Sequence, residues 1–307
     1  MAPRAENRRR ALIPLLEHWG KKGGTLPAGL PLVPVGKGKK ALVFLAGNAA
    51  VRLFEDPLRF TRYLKVYSLL ERAGVGVPQR HLCRATPELA GKGILAVSVE
   101  ERVSPVEVPS VRVAEELGSN LARLHGIGRS RWGGLLLPAK GHYSTMLVNE
   151  TLSRLRAWEE RFGEIPDAET WLESWREPLS SLKGYQLIHG DVALGNTGLR
   201  RERVVLLDLV RSRYGFALED VVAALDMLRR QQLTPSSPLV EAFWRGYSSL
   251  RPLSPDEEAT LPFFEAAFHA KRLKRALKHL QKGEVEWHLR AGWHLQRLGE
   301  ALKETRG

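Results

Sequence analysis

Between Leu187 and Val210 the chain reads LIHGDVALGNTGLRRERVVLLDLV, two apolar runs enclosing separately placed side chains that handle metals and protons. His189, Gly190 and Asp191 follow a strand-like apolar entry. Asn196 closes the loop, and Val204 to Leu207 form a second apolar run that ends on Asp208, an acid at the exit of a buried strand. An acid after an apolar strand is often only a turn former or a helix cap. It is the ordered set Asp191, Asn196, Asp208 that restricts the fold and the chemistry.

Phosphoryl transfer asks little covalent chemistry of a protein. It needs a carboxylate to orient the attacking hydroxyl and oxygen ligands to hold Mg²⁺ on the donor phosphates. Asp191 suits the first task. Mg²⁺ prefers hard oxygen ligands and keeps several waters, so an amide oxygen and a carboxylate from neighbouring segments, Asn196 and Asp208, suit the second. The order of Asp, downstream Asn and a further Asp after another strand is that of a kinase catalytic segment.

HGDVALGN followed by LLDLV resembles the aminoglycoside phosphotransferase and choline kinase group of protein-kinase-like small-molecule kinases. The resemblance implies an α+β, two-lobe fold, with a small antiparallel sheet lobe and a larger, mainly helical lobe. It implies ATP and Mg²⁺ as cofactors, Asp191 as catalytic base, His189 as support beneath the loop, and Asn196 and Asp208 as metal ligands. Asp220, in YGFALEDVVAAL, matches the family acid that anchors the catalytic-loop backbone.

The rest of the chain can be set around that segment. Residues 1–30, with the amphipathic ALIPLLEHW and a Gly-rich connector, read as an N-terminal extension whose Leu12, Leu15 and Leu16 pack on a lobe edge, or whose Arg8 to Arg10 touch an anionic surface. Residues 31–101 form the expected nucleotide-binding lobe. PLVPVGKGKKALVFLAGNAAVRLFED alternates like three antiparallel strands, with Gly47-Asn48 as a tight turn. Gly36 and Gly38 fall where a kinase has its phosphate-approaching loop, although a basic hairpin without ligand fits them equally. Arg52 occupies the slot of the phosphate-gripping Lys, with Lys40 as an alternative donor and an edge-strand surface residue as the plainer reading. Pro57 to Gly74 is predicted to be a helix. Where kinases place a Glu on this helix it carries Tyr63, and Glu55 and Glu71 are imperfect replacements.

GILAVSVEERV is a strand leading to a hinge, with the lobe boundary near Glu101. Residues 102–307 form the expected helical lobe, carrying the catalytic segment and the acceptor site. SVRVAEELGSNLARLHGIG resembles the family helix ending in Leu-His, which makes His125 structural. TMLVNETLSRLRAWEERFG and AETWLESWREPLSSL are predicted helices, and their Trp158, Trp171 and Trp175 read as core rather than as a cage for a cationic acceptor. KRLKRALKHLQKG is a basic helix with an apolar stripe of Leu273, Leu277 and Leu280, either a solvated face or a contact for an anionic membrane.

Charge narrows the partners. The 47 Lys and Arg against 34 Asp and Glu leave +13, a balance that favours anionic partners and disfavours a polycationic aminoglycoside. A small-molecule or glycolipid acceptor such as a lipopolysaccharide-type sugar fits this balance best, with peripheral contact to an anionic membrane as an accompaniment. No firm nucleic-acid signal and no obligate protein partner are read. The other reading is a catalytically weak pseudokinase or basic binding protein for nucleotide, RNA or an anionic membrane surface. No stretch reaches the ~20 apolar residues of a membrane helix and the N-terminus lacks a secretory pattern, so a cytoplasmic location is expected. The single Cys83 is in keeping with a reducing compartment.

Overall fold

The computed structural model describes residues 10–14, 16–18, 32–35, 42–231 and 237–303. Gly36, Gly38, Lys37, Lys39 and Lys40 lie outside the described residues, as do Arg8, Arg9 and Leu15. The chain divides into two compact units. The first comprises 1–109 and 194–211, the second 110–193 and 212–307.

The first unit is built on a five-stranded antiparallel sheet in the order β1-β2-β3-β5-β4. β1 (Val33–Val35), β2 (Leu42–Ala46) and β3 (Ala49–Phe54) are the three strands expected from alternation. A two-residue turn joins β2 to β3, pairing Ala46 with Ala49, and Gly47 supplies the positive φ of 55° that this tight turn requires. β5 (Ala96–Glu101) lies between β3 and the edge strand β4 (Arg80–Ala85). Phe44, Val51, Leu53, Val97 and Val99 form the core, and Leu12 and Leu16 of the N-terminal helical segment are buried in it. That segment is therefore packed rather than free to present an apolar face.

Helix α1 (Pro57–Arg72) starts where Asp56 accepts a hydrogen bond from the Leu58 N–H at 2.9 Å, with Pro57 at the first position. Gly74, at φ 68°, ends the turn. A second, three-stranded sheet of this unit has the order β10-β9-β6, where β9 (Thr197–Arg200) and β10 (Arg203–Leu206) form a hairpin and β6 (Ser104–Pro105) pairs with β9.

The second unit is mainly helical. α2 (Val111–His125) and α7 (Pro238–Ser248) pack backbone against backbone through Gly118 and Gly246. A Cβ on Gly118 would stand 2.2 Å from the Phe243 carbonyl oxygen, and one on Gly246 2.0 Å from that of Glu115. α3 (Tyr143–Phe162) is the helix expected there. The expected helix over AETWLESWREPLSSL is instead two short ones, α4 (Ala168–Glu173) and α5 (Arg176–Ser181). Pro178 explains the break: it has no N–H to give to the Ser174 carbonyl, and its ring would clash with that group in a continuous helix. Trp158, Trp171 and Trp175 are all buried, as expected of core residues.

α6 (Leu218–Arg229), α8 (Pro255–Leu280) and α9 (Trp287–Lys303) complete the unit, with α8 opened by a capping box between Ser254 and Glu257. On α8, Leu273 and Leu277 are buried while Arg275 and Lys278 are exposed, the pattern of a solvated basic face beside an apolar stripe. No helix among the described residues is long and apolar enough to cross a membrane.

Candidate active site

In the second unit, β8 (Tyr185–Ile188) is held between β11 (Arg213–Gly215) and β7 (Gly128–Arg129), and it delivers the chain to the turn at His189 and Gly190. Gly190 takes φ 75°, a conformation open to glycine. Asp220, in the first turn of α6, binds this turn with both oxygens. Oδ2 accepts from the His189 N–H at 2.6 Å and Oδ1 from the Gly190 N–H at 2.9 Å. His125 completes the set, with Nε2 3.3 Å from Asp220 Oδ2 and Nδ1 2.8 Å from the Tyr247 hydroxyl.

Burial lowers the His125 pKa against the opposing pull of Asp220, so the ring is neutral, Nε2–H donates to the carboxylate and Nδ1 accepts from Tyr247. Burial alone would raise the Asp220 pKa, but the hydrogen bond from His125 and that from the Gly190 N–H help to hold it below its ordinary value. His125 and Asp220 are thus the loop's buried foundation, as the resemblance implied.

His189 is itself buried, and its Nδ1 accepts from the Asp191 N–H at 3.2 Å. Asp191 is left part-buried at the end of this scaffold. On α8 of the same unit, Arg272 lies within electrostatic reach of Asp191, and its buried Nε has no hydrogen-bond partner.

In the first unit, the β9–β10 hairpin brings the two expected metal ligands to one end. The Leu207 N–H donates to the Asn196 carbonyl at 2.9 Å, one step beyond the Thr197–Leu206 pair, and Asp208 follows directly. Asp208 adopts φ 52°, unusual for a residue other than glycine but tolerated by Asp, and its side chain is half exposed. Arg52 reaches it from β3, with Nη1 3.6 Å from Asp208 Oδ1.

An acid near Arg52 comes from β5. Arg52 is paired in register with Ser98, so Glu100, two residues on, projects from the same sheet face. Arg52 Nε lies 3.5 Å from Glu100 Oε1. Tyr63 donates to that same oxygen at 2.8 Å and lies 2.9 Å from Ser98 Oγ, while Tyr67 donates to Glu100 Oε2 at 2.9 Å. Tyr63 and Tyr67 are four apart and so share one face of α1. Burial first, then the Glu100 carboxylate, pushes both hydroxyls well above their usual range, which keeps them protonated donors.

Burial lowers the Arg52 pKa, but Glu100 and then Asp208 more than offset it, and the guanidinium stays charged. Glu71, weighed as a replacement acid, instead pairs with Arg80 at 2.8 Å. Sequence reasoning missed Glu100. The signal was present in Ser98 and Glu100, polar residues at strand spacing inside an otherwise apolar run.

Arg52 Nε is buried without a hydrogen-bond partner, its 3.5 Å approach to Glu100 being longer than such a bond. A buried unsatisfied donor is costly, and a phosphate oxygen would satisfy it. Asn196 and Asp208 provide the hard oxygen donors that Mg²⁺ takes. These residues fit a nucleotide phosphate and a divalent metal.

The model of the phosphotransferase enzyme family (APH) matches residues 32–263. A sequence comparison with curated proteins finds no significant match. Among solved structures, a choline/ethanolamine kinase family protein from Mesorhizobium loti is similar at TM-score 0.58 and 17% identity, over 95% of this chain and 96% of that one. Macrolide 2′-phosphotransferase MphH from Brachybacterium faecium is similar at TM-score 0.54 and 18% identity, over 97% and 99%. Amicoumacin kinase hAmiN, in complex with AMP-PNP, Ca²⁺ and Ami, is similar at TM-score 0.59 and 13% identity, over 94% and 93%.

Proposed function

We propose that this chain, which belongs to the phosphotransferase enzyme family, transfers the ATP γ-phosphoryl group to a hydroxyl of an anionic small molecule, sugar or lipid head group in the cytoplasm. Asp191 orients the acceptor hydroxyl and takes its proton, and His189 holds the Asp191 backbone through its ring nitrogen. Arg52 binds the donor phosphates, and Gly36, Gly38 and Lys40 remain the further phosphate-binding residues expected from the sequence. Asn196 and Asp208 hold Mg²⁺, which when bound neutralises charge on the transferred group. The donor half of this reading is carried by the pairing of Arg52 with Asp208, which joins the phosphate-binding slot to a metal-binding carboxylate.

The anionic acceptor is supported by Arg272. Its part-buried guanidinium has an unused, buried Nε–H and lies in the electrostatic field of Asp226 and of the proposed base Asp191, where an acceptor phosphate or carboxylate would complete its hydrogen bonding. The exposed Arg275, Lys278 and Lys282 extend this charge and would favour an acceptor carried at an anionic membrane surface.

The test is Mg²⁺-dependent ATP turnover by wild type and Asp191→Asn with matched panels of acidic sugars, glycolipid head groups and aminoglycosides. Turnover with an acidic panel member, lost in Asp191→Asn and reduced in Arg272→Ala, is expected. Turnover only with cationic acceptors would overturn the acceptor class, and binding of ATP without turnover on any panel would favour a binding protein.

A further inference from the structure

We propose that Glu100, clamped by Tyr63 and Tyr67, is the acid that positions Arg52 on the donor phosphates, so that β5 rather than α1 supplies the counter-charge of the phosphate-gripping cation. The assignment rests on the phosphate role of Arg52.

Glu100 is buried on β5, between β3 and β4. Buried carboxylates are costly unless paired and hydrogen-bonded, and Glu100 has both kinds of partner. Oε1 receives Tyr63 and faces Arg52, and Oε2 receives Tyr67. The two hydroxyls orient the carboxylate, since each oxygen is held from the helix side. The Arg52 guanidinium is then set between Glu100 on one side and Asp208 on the other, at 3.5 and 3.6 Å.

Neither approach is a short hydrogen bond, which leaves guanidinium donors for a third anion. A longer Arg in the Lys slot moves the charge further from its strand, and an acid on the same sheet face restrains it there without reaching across from the helix. Tyr63, which stands where an acid is expected on α1, therefore acts through Glu100 rather than directly. All three are positioning residues.

A double-mutant cycle tests this. Mg²⁺·ATP affinity is measured for wild type, Arg52→Ala, Glu100→Gln and the double variant, with thermal melting of each. Glu100→Gln is expected to weaken binding about tenfold, the scale of one charge-assisted interaction, and to have no further effect once Arg52 is gone. Tyr63→Phe keeps both charges and serves if Glu100→Gln folds poorly. It is expected to weaken binding about threefold, again only when Arg52 is present. Additive losses in the cycle, or unchanged affinity in both Glu100→Gln and Tyr63→Phe while Arg52→Ala is impaired, would overturn the role of Glu100 and leave that of Arg52 standing. Unchanged affinity in Arg52→Ala would remove the phosphate role itself and this assignment with it.

Discussion

The backbone N–H of His189 donates to Asp220 Oδ2 at 2.6 Å across 31 residues of chain, tying the turn before the proposed base to the first turn of the following helix. One carboxylate thereby fixes two successive backbone donors and a histidine ring, and the position of Asp191 follows from a buried network rather than from its own side chain. Removing Asp220 would strand all three donors at once.

Asp220→Ala is therefore expected to cost about 3–5 kcal/mol of stability, the scale of breaking a buried charged network. Asp220→Asn, which keeps one acceptor oxygen, should cost less. Denaturant unfolding of the variants checks this, and a loss below about 1 kcal/mol in Asp220→Ala would contradict the anchor role.

Stability should fall with acidification in two steps. Burial holds the pKa values of His125, His269 and His294 below the ordinary histidine value, the last two with Nδ1 atoms 2.9 Å apart. Arg297, Arg229 and Arg230 act on His269 in the same direction as burial, whereas on His294 the Asp226 carboxylate opposes burial and Arg230, Arg272 and Arg290 reinforce it. Below pH ~6.5 the unfolded chain gains protons that these folded rings refuse, so the unfolding free energy decreases by up to about 1.4 kcal/mol per pH unit for each histidine. Asp220, whose folded pKa is lowered, adds its loss only below pH ~4. Urea unfolding from pH 7 to pH 5 should show the first step, and a flat profile would refute it.

Asp208→Ala should remove most of the Mg²⁺ enhancement of nucleotide binding, by at least about tenfold, while the Arg52–Glu100 pair persists. Titration with ATP, with and without Mg²⁺, reads this directly. An unchanged Mg²⁺ response would mean that the metal is held elsewhere.

Gly118→Ala should destabilise by about 3 kcal/mol or more, since its Cβ would overlap the Phe243 carbonyl oxygen and approach the Tyr247 nitrogen to 2.9 Å. Gly292 in α9 has open space around it and is the control. Gly292→Ala is expected to stabilise by about 0.5–1 kcal/mol, because alanine loses less backbone entropy in a helix. Melting temperatures of the two variants should move in opposite directions.

Much of this protein was legible along the chain. The order Asp191, Asn196, Asp208, the three strands up to Phe54, the helix ending at Gly74 and the burial of the tryptophans all follow from spacing and periodicity, which act over a few residues. Where the partner lies far off in sequence, spacing is silent. Tyr63 looked like a missing acid because its helix alone was in view, whereas Glu100 is 37 residues away and meets it only once α1 covers the sheet. Pro178 was visible, yet the segment was read as one helix where the structure has two.

The sequence by itself determined the reaction class and picked out the candidate residues of the segment around Asp191, because phosphoryl transfer calls for an acid, an amide and a second acid in that order. Tertiary structure alone decided which acid faces Arg52, that residues 194–211 group with the first unit, and that Asp220 gathers two backbone donors and a histidine. Strand pairing and helix packing choose such neighbours by burying complementary surfaces, and that choice is made across the whole chain rather than within any stretch of it.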